Sequence, residues 1–198
     1  MENVFEANVS KWLELNQEGQ FIEAKDFYFE TLFPAVIDNF VSKEADRKKK
    51  VDVLFSVLGF TPEPIILTQR ALEPRVHVIF YTNLEGDRFE REISPYLEKY
   101  LTSEYKLVML KDISFKTIYG TMQEQMNLYP AGSYALDITG GKKSMVASAA
   151  IFGRDMNFNV LYVDYTSYNP DIRRPLPGTE ILSWVYDPFN DLPDLMER

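Results

Sequence analysis

Five short apolar runs separated by segments of helix length predict an α/β protein. The expected architecture is a doubly wound, mainly parallel sheet of five or six strands, Rossmann-like, preceded by an N-terminal helical extension. Three observations carry this. The runs at residues 51–57, 75–81, 106–110, 134–138 and 159–163 are nearly continuous in Val, Ile, Leu, Phe and Tyr, as in strands covered on both faces. The intervening segments are long enough for the helical crossovers that parallel strands require. The first fifty residues repeat their apolar positions at helical rather than strand spacing.

In chain order, Val4, Phe5, Val9, Trp12 and Leu13 mark a first helix that Gly19 stops. A second covers residues 21 to about 41, with Phe27, Phe29, Leu32, Phe33, Val36, Ile37 and Phe40 apolar; Pro34 inside it predicts a kink or a division. The run Arg47-Lys48-Lys49-Lys50 reads as a solvated linker before a buried strand rather than as a nucleic-acid patch. From Val51 strands and helices alternate, with helices expected at 62–72, 88–101, 115–128 and 144–156. Residues 173–180 look loop-like, and 181–186 form a last strand. The domain division is therefore 1–50, a helical extension, and 51–198, the α/β domain.

Composition excludes several classes of function. There is no cysteine, so no disulfide framework and no Cys-based zinc site. With a single histidine, His77, a His-rich metal site is also out. No resident cofactor is expected. The start of the chain lacks a signal-peptide pattern, and no apolar run nears the roughly 18 residues of a membrane span. The expectation is a soluble, cytoplasmic protein with no membrane partner. Net charge is −9, which argues against a long nucleic acid as partner but not against a small anion in one basic pocket.

The chemistry concentrates at Leu136-Asp137-Ile138-Thr139-Gly140-Gly141-Lys142-Lys143-Ser144-Met145. A strand, a Thr-Gly-Gly turn and a helix start with two lysines make an anion cradle: free N–H groups and the positive end of the helix dipole face the turn. Lysine is unfavourable near a helix N-terminus, so two of them there point to a bound anion. Asp137 is read as fixing the turn through backbone N–H groups, and His77 as a packed structural histidine.

In open parallel sheets ligands sit at the carboxyl ends of the strands where the order reverses. With order 3-2-1-4-5, the loop after the first strand (Ser56, Gly59, Phe60, Thr61) meets the Thr139–Lys143 turn. Thr82 and Asn83 after the second strand, and Asp164 and Tyr165 after the fifth, flank them. Walker A fails, since the position five before Gly141 is Leu136. The dinucleotide fingerprint is absent after the first strand.

The stretch Asp137-Ile138-Thr139-Gly140-Gly141-Lys142-Lys143-Ser144-Met145 resembles the Asp-x-Thr-Gly-Gly-x-Lys-x-Met motif of CRISPR-associated Rossmann-fold (CARF) domains. The first strand and turn, Val53-Leu54-Phe55-Ser56-Val57-Leu58-Gly59, is similar to that family's other signature loop. Arg174-Pro175-Leu176-Pro177-Gly178-Thr179-Glu180 with Asp187-Pro188-Phe189 is similar to the end of such domains. The resemblance implies a homodimer with one two-fold symmetric site for cyclic oligoadenylate, a second messenger of type III CRISPR antiviral defence. It places Thr139, Gly140, Gly141, Lys143 and Met145 on the binding motif and Ser56 and Gly59 on the first loop, with Lys142 at the variable position. Phe60, Thr61, Thr82 and Asn83 complete the expected ligand-binding set.

Relatives of this kind commonly carry an effector, such as a HEPN ribonuclease. Here Arg70 stands seven residues before His77 but outside the helix pattern such a site requires, so any effector would be a domain or protein outside this chain. The readings left open are an excised sensor domain, a stand-alone sensor, and a stand-alone ring nuclease. In the last, a ribose 2′-OH attacks the adjacent phosphate to leave a 2′,3′-cyclic phosphate, with Lys143 and Ser56 as the catalytic pair and no metal. A regulator acting through its N-terminal helices is a further alternative; acidic residues outnumber basic ones over residues 1–50, which disfavours DNA.

Overall fold

The computed structural model describes residues 4–47, 49–83 and 87–191. Lys48 of the basic run and residues 192–198 of the α/β domain lie outside them. The chain forms two compact units: residues 1–47 with 164–181, and residues 48–163 with 182–198.

In the first unit, α1 (Val4–Gln17) ends before Gly19, whose φ of +76° is left-handed and suits glycine. The expected second helix is three consecutive pieces: α2 (Phe21–Phe27), a π-helical turn (Tyr28–Leu32) and α3 (Phe33–Glu44). The wide turn precedes Pro34, which has no N–H to give to the carbonyl four residues back and would collide with it. Trp12, Ala24 and Leu32 form one buried cluster of this unit with Phe5, Val9 and Ile172 packed on it, and Phe29, Phe33, Val36, Ile37 and Phe40 are buried as well. The stretch expected to be loop-like supplies β7 (Arg174–Pro175), which pairs antiparallel with β6 (Tyr168–Asn169) in a small hairpin.

The second unit is built on β1 (Val53–Val57), α4 (Glu63–Leu72), β2 (Val76–Thr82), α5 (Arg88–Glu92), α6 (Ser94–Tyr100), β3 (Glu104–Leu110), α7 (Phe115–Leu128), β4 (Tyr134–Asp137), α8 (Lys143–Asp155), β5 (Asn159–Tyr165) and β8 (Glu180–Tyr186). The single helix expected at 88–101 is two helices, because Pro95 in the first turn of α6 cannot continue α5. Ser114 caps α7 by accepting from the Thr117 N–H.

The six-stranded sheet has the order β3-β2-β1-β4-β5-β8, and β1 runs parallel to both β2 and β4. Its first five strands follow the doubly wound order read from the sequence. One face carries Val53, Phe55, Val57, Val76, Val78, Phe80 and Leu136, which pack with Ile118 and Met122 of α7 and Met145, Ala149 and Phe152 of α8. Alternation puts Ser56, His77 and Asp137 on the opposite face. The sheet order therefore reverses between β1 and β4, and that is where the two polar loops leave the sheet.

Candidate functional site

The loops after β1 and β4 meet through backbone. A Cβ on Gly59 would lie 2.8 Å from the Gly141 N and 3.2 Å from the Gly140 Cα. One on Gly140 would lie 2.5 Å from the Gly59 N and collide with the Val57 carbonyl oxygen. Gly141 has φ +90°, and a Cβ there would lie 2.5 Å from Val57 Cγ1. Three glycines thus form a seam along which the main chains touch, and a side chain at any of them would push the loops apart.

Beneath the seam lies a buried polar chain. Asp137 accepts from the Thr139 N–H at 2.9 Å, from the Thr139 hydroxyl, and from the Thr68 hydroxyl at 3.1 Å. It fixes the turn as the sequence suggested. The Thr139 hydroxyl also accepts from the Val163 N–H at 2.8 Å, tying the turn to β5. Ser56 Oγ lies 3.4 Å from Asp137 Oδ2 and 2.8 Å from His77 Nε2.

The direction of the chain follows from its far end. Gln69 Oε1 accepts the N–H groups of Thr102 and Ser103, so its NH2 faces His77 Nδ1 at 3.4 Å. His77 Nδ1 is then the acceptor and Nε2–H the donor to Ser56, whose hydroxyl donates on to Asp137. Every donor points toward one carboxylate. Burial holds His77 down at about 3, so the ring is neutral. Burial pushes the Asp137 carboxyl up to about 6, against the hydrogen bonds from Thr139, Thr68 and Ser56 that pull it down.

Two expected contact residues sit under the turn rather than on it. Ser56 is 0% exposed and its hydroxyl is engaged by His77 and Asp137; Met145 is 1% exposed in the core. The register of β1 against β2 and β4 sets Ser56 beside Asp137, and the first turn of α8 turns Met145 into the core. The surface of the site consists of half-buried Gly59, Thr82, Thr139, Gly140 and Gly141, and exposed Phe60, Thr61, Asn83, Lys142 and Lys143.

α8 begins at Lys143 with no side-chain cap and no acidic residue in its first turn. Its first intrahelical acceptor is the Lys142 carbonyl, which takes the Met145 and Val146 N–H groups, so those of Lys143 and Ser144 have no carbonyl one turn earlier. α4, the helix after the other loop, carries its own acid, Glu63, in its first turn. The open positive end, two exposed lysines and a glycine turn lie together on the β4 side.

Sequence reasoning missed Thr68, Gln69 and Arg88. The first two face inward from an unremarkable helix. Arg88 opens α5 after the β2 loop, and its place at the carboxyl edge of the sheet was the available signal. Among the described residues no group of three His, Cys, Asp or Glu side chains could hold a metal ion, and no helix is long and apolar enough to cross a membrane.

No family model matches the chain. It is similar to the CRISPR system endoribonuclease Csm6 of Thermus thermophilus, 29% identical over 178 residues; the match covers 85% of this chain and spans 37% of that relative's length. Among solved structures, Can2 from Sulfobacillus thermosulfidooxidans in complex with cyclic tetra-adenylate is 19% identical with a TM-score of 0.48, over 57% of this chain and 32% of that one. Csm6 from Enterococcus italicus bound to cyclic hexa-2′-fluoro-hexa-dAMP is 16% identical with a TM-score of 0.45, over 60% and 35%.

Proposed function

We infer that this chain, a CRISPR-associated Rossmann-fold (CARF) domain, is a sensor of cyclic oligoadenylate in type III CRISPR defence, working in the cytoplasm as a homodimer. The observation that carries the reading is the seam of Gly59, Gly140 and Gly141 beside the uncapped start of α8, with Lys142 and Lys143 exposed. A phosphodiester can approach the backbone there, meet free N–H groups and be paired by a lysine. The resemblance of the Asp137–Met145 stretch to the CARF motif supports a cyclic oligoadenylate as the anion, and the sequence similarity to a CRISPR system endoribonuclease is in keeping with it.

In this reading Lys143 pairs with a ligand phosphate, and the N–H groups of the turn and of the first turn of α8 take the remaining oxygens. Asp137 and Ser56 hold the turn in shape from beneath, and Thr139, half-buried at the surface, joins the turn to β5. A second copy completes the site around the ring. An effector would respond from a domain or protein outside this chain.

Binding of cyclic tetra- and hexa-adenylate is measured by calorimetry on wild type and Lys143→Ala. One ring binds wild type at micromolar concentration or tighter. The variant binds it about 10- to 150-fold more weakly, as expected for loss of one hydrogen bond to a charged group. Failure of both rings to bind wild type sinks the reading. The same incubations test ring cleavage: rings recovered intact after hours identify a sensor rather than a nuclease, and linear products that vanish in Lys143→Ala identify the reverse.

A further inference from the structure

Phe60 follows Gly59 directly, so its backbone leaves the seam one residue from Gly140 and Gly141. Its side chain is 61% exposed, a large apolar surface at the carboxyl edge of the sheet. A single exposed apolar residue is ordinary. Here, however, the Arg88 guanidinium lies over the Phe60 ring, 5.2 Å from its centre. Arg88 is held in turn by Glu92, Nε to Oε2 at 3.3 Å, one helical turn on along α5. Two elements that follow different strands, β1 and β2, thus combine into a flat ring with a fixed cation on one side.

We propose that Phe60 and Arg88 form the base-reading edge of this site: a purine of the ligand stacks on the open side of the Phe60 ring while its phosphate occupies the Gly140–Lys143 turn. The assignment rests on the reading of the ligand as a cyclic oligoadenylate. It supplies what the turn lacks, because N–H groups and lysines hold any anion, whereas an aromatic face rewards only a ligand that brings a flat ring. Arg88 contributes by backing the ring and by its guanidinium plane, which suits stacking in a way a lysine does not. Glu92 keeps it there and partly neutralises it, so the positive charge stays concentrated at Lys142 and Lys143.

The test titrates cyclic tetra- and hexa-adenylate against wild type, Phe60→Ala, Phe60→Trp, Arg88→Lys and Lys143→Ala at several salt concentrations. Phe60→Ala weakens binding about 5- to 150-fold with the salt dependence unchanged, Phe60→Trp restores the lost affinity, and Arg88→Lys loses part of it. Lys143→Ala, by contrast, flattens the salt dependence. Equal binding by Phe60→Ala and wild type overturns the proposal and leaves the sensor reading standing. So does a Phe60→Ala loss accompanied by a flattened salt dependence, which would mean that the turn itself had moved. Wild type that binds neither ring overturns the sensor reading and this proposal together.

Discussion

Replacing His77 with Gln isolates the acid response of the buried chain. His77 titrates at about 3 against an ordinary 6.5, so its contribution to stability is complete above 6.5 and is lost as pH falls toward 3. Asp137 titrates at about 6 against an ordinary 3.8, so its contribution is complete below 3.8 and is lost as pH rises through 6. Between pH 7 and pH 4 the histidine takes away about 3 kcal/mol and the aspartate returns about 2 kcal/mol. In wild type the two nearly cancel. Gln retains an amide N–H for Ser56 and does not titrate, so His77→Gln keeps only the aspartate's share. Urea unfolding of both proteins at pH 7, 5.5 and 4 reads the difference. The stability of the variant relative to wild type should rise by about 3 kcal/mol from pH 7 to pH 4. A difference that stays constant with pH would refute the reasoning, since it would mean that His77 protonates as readily in the folded chain as in the unfolded one.

Two further outcomes test the seam and the core. Gly140→Ala, whose new methyl meets the Gly59 N and the Val57 carbonyl, should cost about 1–3 kcal/mol and abolish ring binding; an unchanged melting temperature would show that the loops are not in backbone contact. Phe152→Ala empties a fully buried place between Phe55, Phe158 and Tyr119 and should cost about 3–5 kcal/mol in chemical unfolding. A loss under 1 kcal/mol would show that the α8 face is not packed as described.

The Asp137–Met145 stretch shows how far local sequence reaches. Asp137 and Thr139 are two residues apart, and their hydrogen bond is the kind that spacing alone suggests. The same holds for the left-handed glycine at 141 and for the helix that opens at Lys143. Ser56 shows the limit. Its run, Val53-Leu54-Phe55-Ser56-Val57, is apolar on both sides, so alternation cannot say which face of the sheet the serine takes. Sequence reasoning put it at the ligand; the fold puts it under the turn, between His77 and Asp137. The division at Pro95 is legible from that one residue, because a proline in the first turn of α6 cannot continue α5.

What the sequence by itself determined is the order and kind of the elements and the shape of the Thr-Gly-Gly turn, because apolar periodicity and backbone sterics act between residues a few positions apart. What only the tertiary structure decided is who meets whom across the sheet. The path from Gln69 through His77 and Ser56 to Asp137, the contact of Gly59 with Gly140 and Gly141, and the pairing of Phe60 with Arg88 depend on strand register and on which face each strand turns to its helices. Those relations join residues up to 82 positions apart, as Gly59 and Gly141 are, and they form only when the elements pack.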